Sequence, residues 1–144
     1  MFKKPLFPEM LVLFLIVGIL HVIATVNHLY WSIYEFDSLV HFIGGVALSL
    51  LFVWLYFFSD YFNPSKRSLA RFLLISVLGA MFVAVSWETY ELIFKQTMVA
   101  KANYPFDLTM DLMMDFLGAI AGCFYAYIRE YNRQIVLKNI NESR

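Results

Sequence analysis

Cysteine and charge are scarce in this chain, and their scarcity excludes several classes of protein. The single cysteine, Cys123, excludes an internal disulfide framework. Only 15% of the residues are charged and the formal net charge is zero, so nothing indicates a nucleic-acid partner. The sequence also lacks internal repeats, low-complexity tracts and any linker long enough to separate domains. We therefore predict a single domain over residues 1–144.

The residues that are abundant are apolar. Hydrophobic residues make up 61% of the chain and aromatic residues 19%, which is too apolar for a soluble domain of this size. Two stretches contain no Asp, Glu, Lys or Arg: residues 10–34, with 25 positions, and residues 38–59, with 22. Each is long enough to cross a bilayer, which takes about 20 apolar residues. The composition therefore predicts an integral membrane protein.

Two further apolar stretches are shorter, and each ends at charged residues. Residues 72–87 and 116–128 contain 16 and 13 positions, which as helices are about 24 and 20 Å long, less than the ~30 Å hydrocarbon core. Either these segments do not span, or they span by drawing four acids into the membrane: Glu88, Glu91, Asp111 and Asp115. We favour the second reading, because two spanning helices would leave two apolar helices uncovered.

The predicted fold is an all-α bundle of four transmembrane helices. We place the helices at about residues 8–31, 38–58, 68–94 and 108–129. Nine Lys and Arg residues lie on the side of the termini and the middle loop, and only Lys95 and Lys101 lie on the other. By the positive-inside rule, we expect both termini to be cytoplasmic. We also expect a multi-pass protein of the plasma membrane.

Acids and histidines concentrate on the outward side of this topology. Seven of the eleven acids and all three histidines lie there. Three helices carry polar pairs spaced by three or four residues: Asp37 and His41, Glu88 and Glu91, and Asp111 and Asp115. Residues at this spacing share a helix face. Gly45 and Gly118 continue two of the faces, and small residues let membrane helices approach closely. We therefore expect the pairs to converge inside the bundle.

These acids need a neutralising partner, because a charged carboxylate in hydrocarbon costs about 3 kcal/mol on insertion scales. Protonation, the side chains of Lys95 and Lys101, or divalent cations could supply it. We favour one or two divalent metal ions of undetermined identity, since carboxylates with an imidazole suit several such metals. The predicted ligands are Asp37, His41, Glu88, Glu91, Asp111 and Asp115. His41 and Glu88 are also the candidate catalytic residues, as groups that can transfer a proton.

Simpler interpretations exist for several of these residues. Asp37 could cap a helix, and Glu91 could snorkel at a helix end beside Lys95. His28 could lie at the membrane interface, and His21 could form a hydrogen bond between helices. Asp111 and Asp115 are harder to explain in this way, because an Asp side chain is too short to reach water from inside a bilayer.

The order of these motifs resembles a known group. Asp37-x-x-x-His41-Phe42-x-Gly44 is followed by Trp87-Glu88-x-x-Glu91 and by Asp107-x-x-x-Asp111-x-x-x-Asp115-x-x-Gly118. This series is similar to the VanZ-like small membrane proteins, and especially to the YjdF-type branch, over about residues 37–122. The resemblance implies shared functional positions at His41, Glu88, Glu91 and Asp111, and a link to glycopeptide resistance and cell-envelope traits. VanZ-like proteins tend to carry Asn where this chain has Asp115.

The leading functional hypothesis is a metal-dependent hydrolase or transferase. It would act at the outer face on a membrane lipid, a lipid-linked cell-envelope substrate or another small molecule, because the cluster lies where head groups lie. A cation or proton transporter subunit is the first alternative, and it would need to form a homo-oligomer to pump. A non-catalytic membrane protein whose polar cluster stabilises the bundle is the second.

Overall fold

The computed structural model describes residues 4–33, 35–62, 64–94 and 104–143, and within these ranges the chain is helical with no strands. The helices are α1 (Phe7–Val26), α2 (Leu29–Ser32), α3 (Phe36–Val53), α4 (Leu69–Phe94) and α5 (Tyr104–Glu142). A π-helical turn, Trp54–Phe58, continues α3. In the described part of the chain, four helices are long and apolar enough to cross a membrane: α1, α3 with its π-helical turn, α4 and α5. The predicted all-α, four-span architecture is confirmed, and the cytoplasmic placement of the termini stays a prediction.

Some helix boundaries differ from those expected. The first helix ends at Val26, and the short α2 follows as a separate turn. The last helix has 39 residues and runs to Glu142, so at about 58 Å it is almost twice as long as the hydrocarbon core is thick. The helix therefore continues past Arg129, where the apolar stretch ends, to Glu142. Asp37 lies in the first turn of α3, whereas the residue at the cap position is Glu35.

Helix α3 is the centre of the bundle and packs against α1, α4 and α5. Its closest approach is to α5, where glycines face each other. A Cβ added to Gly45 would overlap the backbone carbonyl of Asp115, and one added to Gly118 would overlap that of Phe42. Glycine at both positions lets the two backbones touch. This contact brings the polar faces of α3 and α5 together.

The opposite end of the bundle is closed by a separate core and an ion-pair network. Phe57 and Phe72 are fully buried, with ring centroids 4.2 Å apart. Beside them the buried Glu130 carboxylate accepts hydrogen bonds from Arg67 at 2.6 Å and from Arg133 at 2.7 Å. Arg67 also donates to the carbonyl of Phe57 in the π-helical turn, at 3.1 Å. The network therefore ties α5 to the segment between α3 and α4.

Candidate metal centre

His41 and Asp115 form a close pair in the polar cluster. His41 Nδ1 lies 2.9 Å from Asp115 Oδ2, and the two side chains are 13% and 5% exposed. An ionised carboxylate only accepts hydrogen bonds, so this contact places a proton on Nδ1. The close crossing of α3 and α5 makes the pair, because Gly45 lies one turn after His41 and touches the backbone of Asp115. In a neutral imidazole the other ring nitrogen, Nε2, is then the acceptor.

Nε2 of His41 faces two further carboxylates. It lies 3.7 Å from Asp37 Oδ1 on the same helix and 3.9 Å from Glu88 Oε1 on α4. Both distances are too long for hydrogen bonds. The Nε2 lone pair of a neutral His41 and these two carboxylates surround a shared space. Together they provide donor atoms that can bind a cation.

Asp111 adds a fourth carboxylate from α5, one turn before Asp115. One ligand atom each from Asp37, His41 and Asp111 lie within 4.8 Å of one another. Two ligands about 2.1 Å from one ion are at most about 4.2 Å apart, so small side-chain rotations would bring these three into a coordination shell. The donor set of one imidazole and several carboxylates fits Zn²⁺, Mn²⁺ or Fe²⁺.

Two carboxylate oxygens in the cluster lack a hydrogen-bond partner in the described part of the chain. Among the described residues, neither Glu88 Oε1 nor Asp111 Oδ1 has one, although Glu88 is only 6% exposed and Asp111 only 4%. A buried polar atom without a partner costs about 1–3 kcal/mol, and more when the group is charged. A bound cation or a proton on each carboxyl would remove this cost.

The remaining predicted ligand, Glu91, lies beside the cluster. It lines an adjacent cavity together with Asp37 and His41. Lys95 and Lys101, the lysines considered as neutralising partners, lie outside the described residues. His28 is separate from the cluster: it begins α2 and packs its ring against Trp31, with centroids 5.8 Å apart.

A second polar pair lies at the edge of the cluster, between α1 and α2. His21 Nδ1 is 2.8 Å from the hydroxyl of Tyr30, which agrees with the interpretation of His21 as a hydrogen-bonded helix contact. Burial, with the nearby charges of Asp37 and Glu91, raises the pKa of Tyr30 to about 12. The phenol is therefore protonated at neutral pH. The sequence carries no signal of this bond, because a separation of nine residues matches no helical or turn spacing.

Two cavities beside the cluster share part of their walls. The first, of about 330 Å³, lies between α1, α3 and α4, and its wall is apolar except near His21, His41 and the acids. The second, of about 490 Å³, lies toward the ends of α2, α3 and α5. Asp37 and Tyr30 line both cavities. The cluster is therefore reached from a hydrocarbon-lined side and from a more polar side.

Comparison with known proteins gives the family of the chain. No curated protein and no solved structure matches it. A family model described as "Predicted membrane protein (DUF2238)" matches residues 1–132, which is most of the 144-residue chain. The chain therefore belongs to the DUF2238 family of predicted membrane proteins.

Proposed function

We propose that the protein is a metal-dependent membrane enzyme, a hydrolase or transferase that acts on a lipid or lipid-linked substrate. The observation that carries this proposal is the orientation of His41. Its Nδ1 is held by Asp115 at 2.9 Å, while Nε2 faces Asp37 and Glu88. A histidine ligand of a metal nearly always donates its other N–H to a carboxylate or carbonyl. Asp115 would therefore orient the ligand and not bind the ion itself.

The charge of the cluster supports a cation. Asp37, Glu88, Asp111 and Asp115 bring four carboxylates around one imidazole. A site of this charge would repel an anionic phosphate, and one or two divalent ions would reverse that repulsion. A bound ion would supply Lewis-acid polarisation of a phosphoryl or carbonyl oxygen and an activated water.

The residues of the cluster would then have different roles: ligands of the ion, a proton carrier and a positioning residue. Asp37, His41 and Asp111 are the best-placed ligands, since their donor atoms already lie within 4.8 Å. Glu88 is the candidate proton carrier, because its Oε1 lies in the cluster without a hydrogen-bond partner among the described residues. Asp115 is a positioning residue that acts through His41.

The location of the cluster supports a lipid substrate. Its residues lie near the ends of membrane-spanning helices, on the side that the positive-inside rule places outward, where lipid head groups lie. The motif resemblance to VanZ-like and YjdF-type proteins favours a cell-envelope substrate in the plasma membrane.

The metal is tested by elemental analysis of the full-length protein in nanodiscs, after equilibration with Zn²⁺ or Mn²⁺. We expect one or two ions per chain, and a loss of bound metal in the double variant Glu88→Gln with Asp111→Asn. The matched control carries the same two chemical changes at exposed acids, Asp60→Asn with Glu142→Gln. Turnover is followed by mass spectrometry of phosphatidylethanolamine and phosphatidylglycerol vesicles. Retention of metal and turnover in the double variant would overturn the proposal.

One observation favours a transporter as the second candidate. Ser49 lies two turns beyond His41 on α3, and its hydroxyl is fully buried without a hydrogen-bond partner among the described residues. Together with the buried Ser76 it continues polar groups away from the cluster. Ion or proton flux in proteoliposomes that is lost in Asp115→Asn would support transport over catalysis. Unaltered metal content, turnover and flux with lowered thermal stability would instead indicate a structural cluster.

A further inference from the structure

The two cavities beside the metal centre differ in the chemistry of their walls. The first, hereafter the chain cavity, is lined by apolar side chains from three membrane-spanning helices, including Phe14, Val17, Leu48 and Val83. It ends at Asp37 and His41. Because helix α1 packs mainly against α3, the chain cavity adjoins the bilayer along the boundary between α1 and α4.

Gly18 shows that this boundary is open. It lines the chain cavity and is exposed, and a Cβ built on it meets no atom within 4 Å. The next residue, Ile19, points outward and is 58% exposed. A chain that enters from the lipid would therefore pass Gly18 on its way to the metal centre.

The second cavity, hereafter the head-group cavity, is more polar and acidic. Its charged lining residues within the described ranges are Glu35, Asp37 and Asp107. Trp31 and Ser32 lie on the same wall, and tryptophan is typical of the level of lipid head groups. Acidic walls complement a cationic group, and they disfavour an anionic head group that carries no amine.

We propose that the site binds an amine-headed membrane phospholipid of the phosphatidylethanolamine type. One acyl chain lies in the chain cavity, the ammonium group lies in the head-group cavity, and the phosphate linkage lies beside Asp37, where the two cavities meet. This inference rests on the proposed function and names its substrate class. A volume of about 330 Å³ is at the small end of ligand pockets, which favours one chain inside the protein and leaves the second in the bilayer.

The acyl chain is tested with Gly18→Phe, whose ring we expect to fill part of the chain cavity, since Gly18 lines that cavity and a Cβ at this position meets no atom within 4 Å. The matched control is Ile19→Phe, which adds the same ring on the lipid-facing side of α1. The probe is phosphatidylethanolamine with a photoreactive diazirine in one acyl chain, in nanodiscs with the full-length protein. Labelling is read at Ala84, which lines the chain cavity and is only 3% exposed, so bulk lipid has little access to it.

We expect Ala84 to be labelled in the wild type and in Ile19→Phe, with about a tenfold loss in Gly18→Phe, equivalent to about 1.4 kcal/mol. Equal labelling in both variants would overturn the placement of the chain. For the head group, unlabelled phosphatidylethanolamine should compete better than phosphatidylglycerol, and Glu35→Gln should reduce the difference. Equal competition by the two lipids would overturn the choice of an amine.

Metal content separates this inference from the proposed function. Gly18→Phe should bind Zn²⁺ as the wild type does, because Gly18 belongs to α1 and the candidate ligands belong to α3, α4 and α5. Intact metal with equal labelling in both variants would overturn the lipid site alone. Labelling that depends on Gly18 in a protein that binds no metal would overturn the enzyme proposal while supporting the lipid site.

Discussion

Asp115→Asn should weaken metal binding about 10- to 100-fold, as losses of carboxylates that orient a ligand histidine typically do. This corresponds to about 1.4–2.7 kcal/mol. The hydrogen bond to His41 is 2.9 Å long, and the Asp115 side chain is 5% exposed, so water has little access to replace the carboxylate. Asparagine has the same shape but carries no charge, and its amide can turn a donor toward Nδ1. The imidazole then loses the partner that holds Nε2 toward Asp37 and Glu88.

The assay is competition for Zn²⁺ between the protein in nanodiscs and a chelating dye at neutral pH. Asp60→Asn is the matched control, because it makes the same chemical change at a side chain that is 93% exposed and pairs with Lys4. Thermal unfolding should change little in Asp115→Asn, since the packing of Gly45 involves the backbone of residue 115. Wild-type affinity in a folded Asp115→Asn protein would refute the role assigned to His41.

Three further predictions concern the bundle and are read by unfolding in detergent. Gly45→Ala should destabilise the protein by about 1–3 kcal/mol, because its Cβ collides with the α5 backbone, whereas Gly18→Ala should be neutral or slightly stabilising. Glu130→Ala should cost about 3 kcal/mol by leaving two arginines without their carboxylate; the exposed Glu142→Ala should cost less than about 1 kcal/mol. Burial raises the Tyr30 pKa to about 12, so wild-type stability should fall between about pH 10 and 12, and Tyr30→Phe should remove that fall. Equal destabilisation by Gly45→Ala and Gly18→Ala, or by Glu130→Ala and Glu142→Ala, would contradict the packing and ion-pair roles. Identical stability of the wild type and Tyr30→Phe between about pH 10 and 12 would contradict the raised pKa of Tyr30.

The number of spans could be predicted because the membrane imposes a simple length rule. The two charge-free stretches identified α1 and α3 directly. The other two spans required acids to be accepted within spanning helices, and α4 and α5 are long and apolar enough to span while they carry the buried Glu88, Asp111 and Asp115. The end of α5 was harder to predict. The predicted boundary at Arg129 follows the end of the apolar stretch, whereas the helical backbone continues to Glu142.

The residues of the cluster could be predicted from the sequence, but the contacts between them could not. Spacing along each helix indicated which side chains share a face, and the structure brings Asp37, His41, Glu88, Asp111 and Asp115 together. Spacing did not indicate that Asp115 would bind Nδ1 of His41, or that His21 would bond Tyr30. Arg133 lies three residues after Glu130 on the same helix, so spacing allows that pair. Spacing gave no sign of the bond from Arg67, because Arg67 reaches Glu130 only when the chain between α3 and α4 has folded back.

The sequence by itself determined that this is an all-α membrane protein with four spans. It also determined that acids concentrate toward the same end of the predicted helices. These properties follow from composition and from periodicity along single helices, which are local. The tertiary structure alone decided which nitrogen of His41 contacts Asp115, which two carboxylate oxygens lack partners among the described residues, and which residues line both cavities. Those features depend on how helices cross, and the crossing of α3 and α5 is set by contacts at Gly45 and Gly118 between residues far apart in the chain.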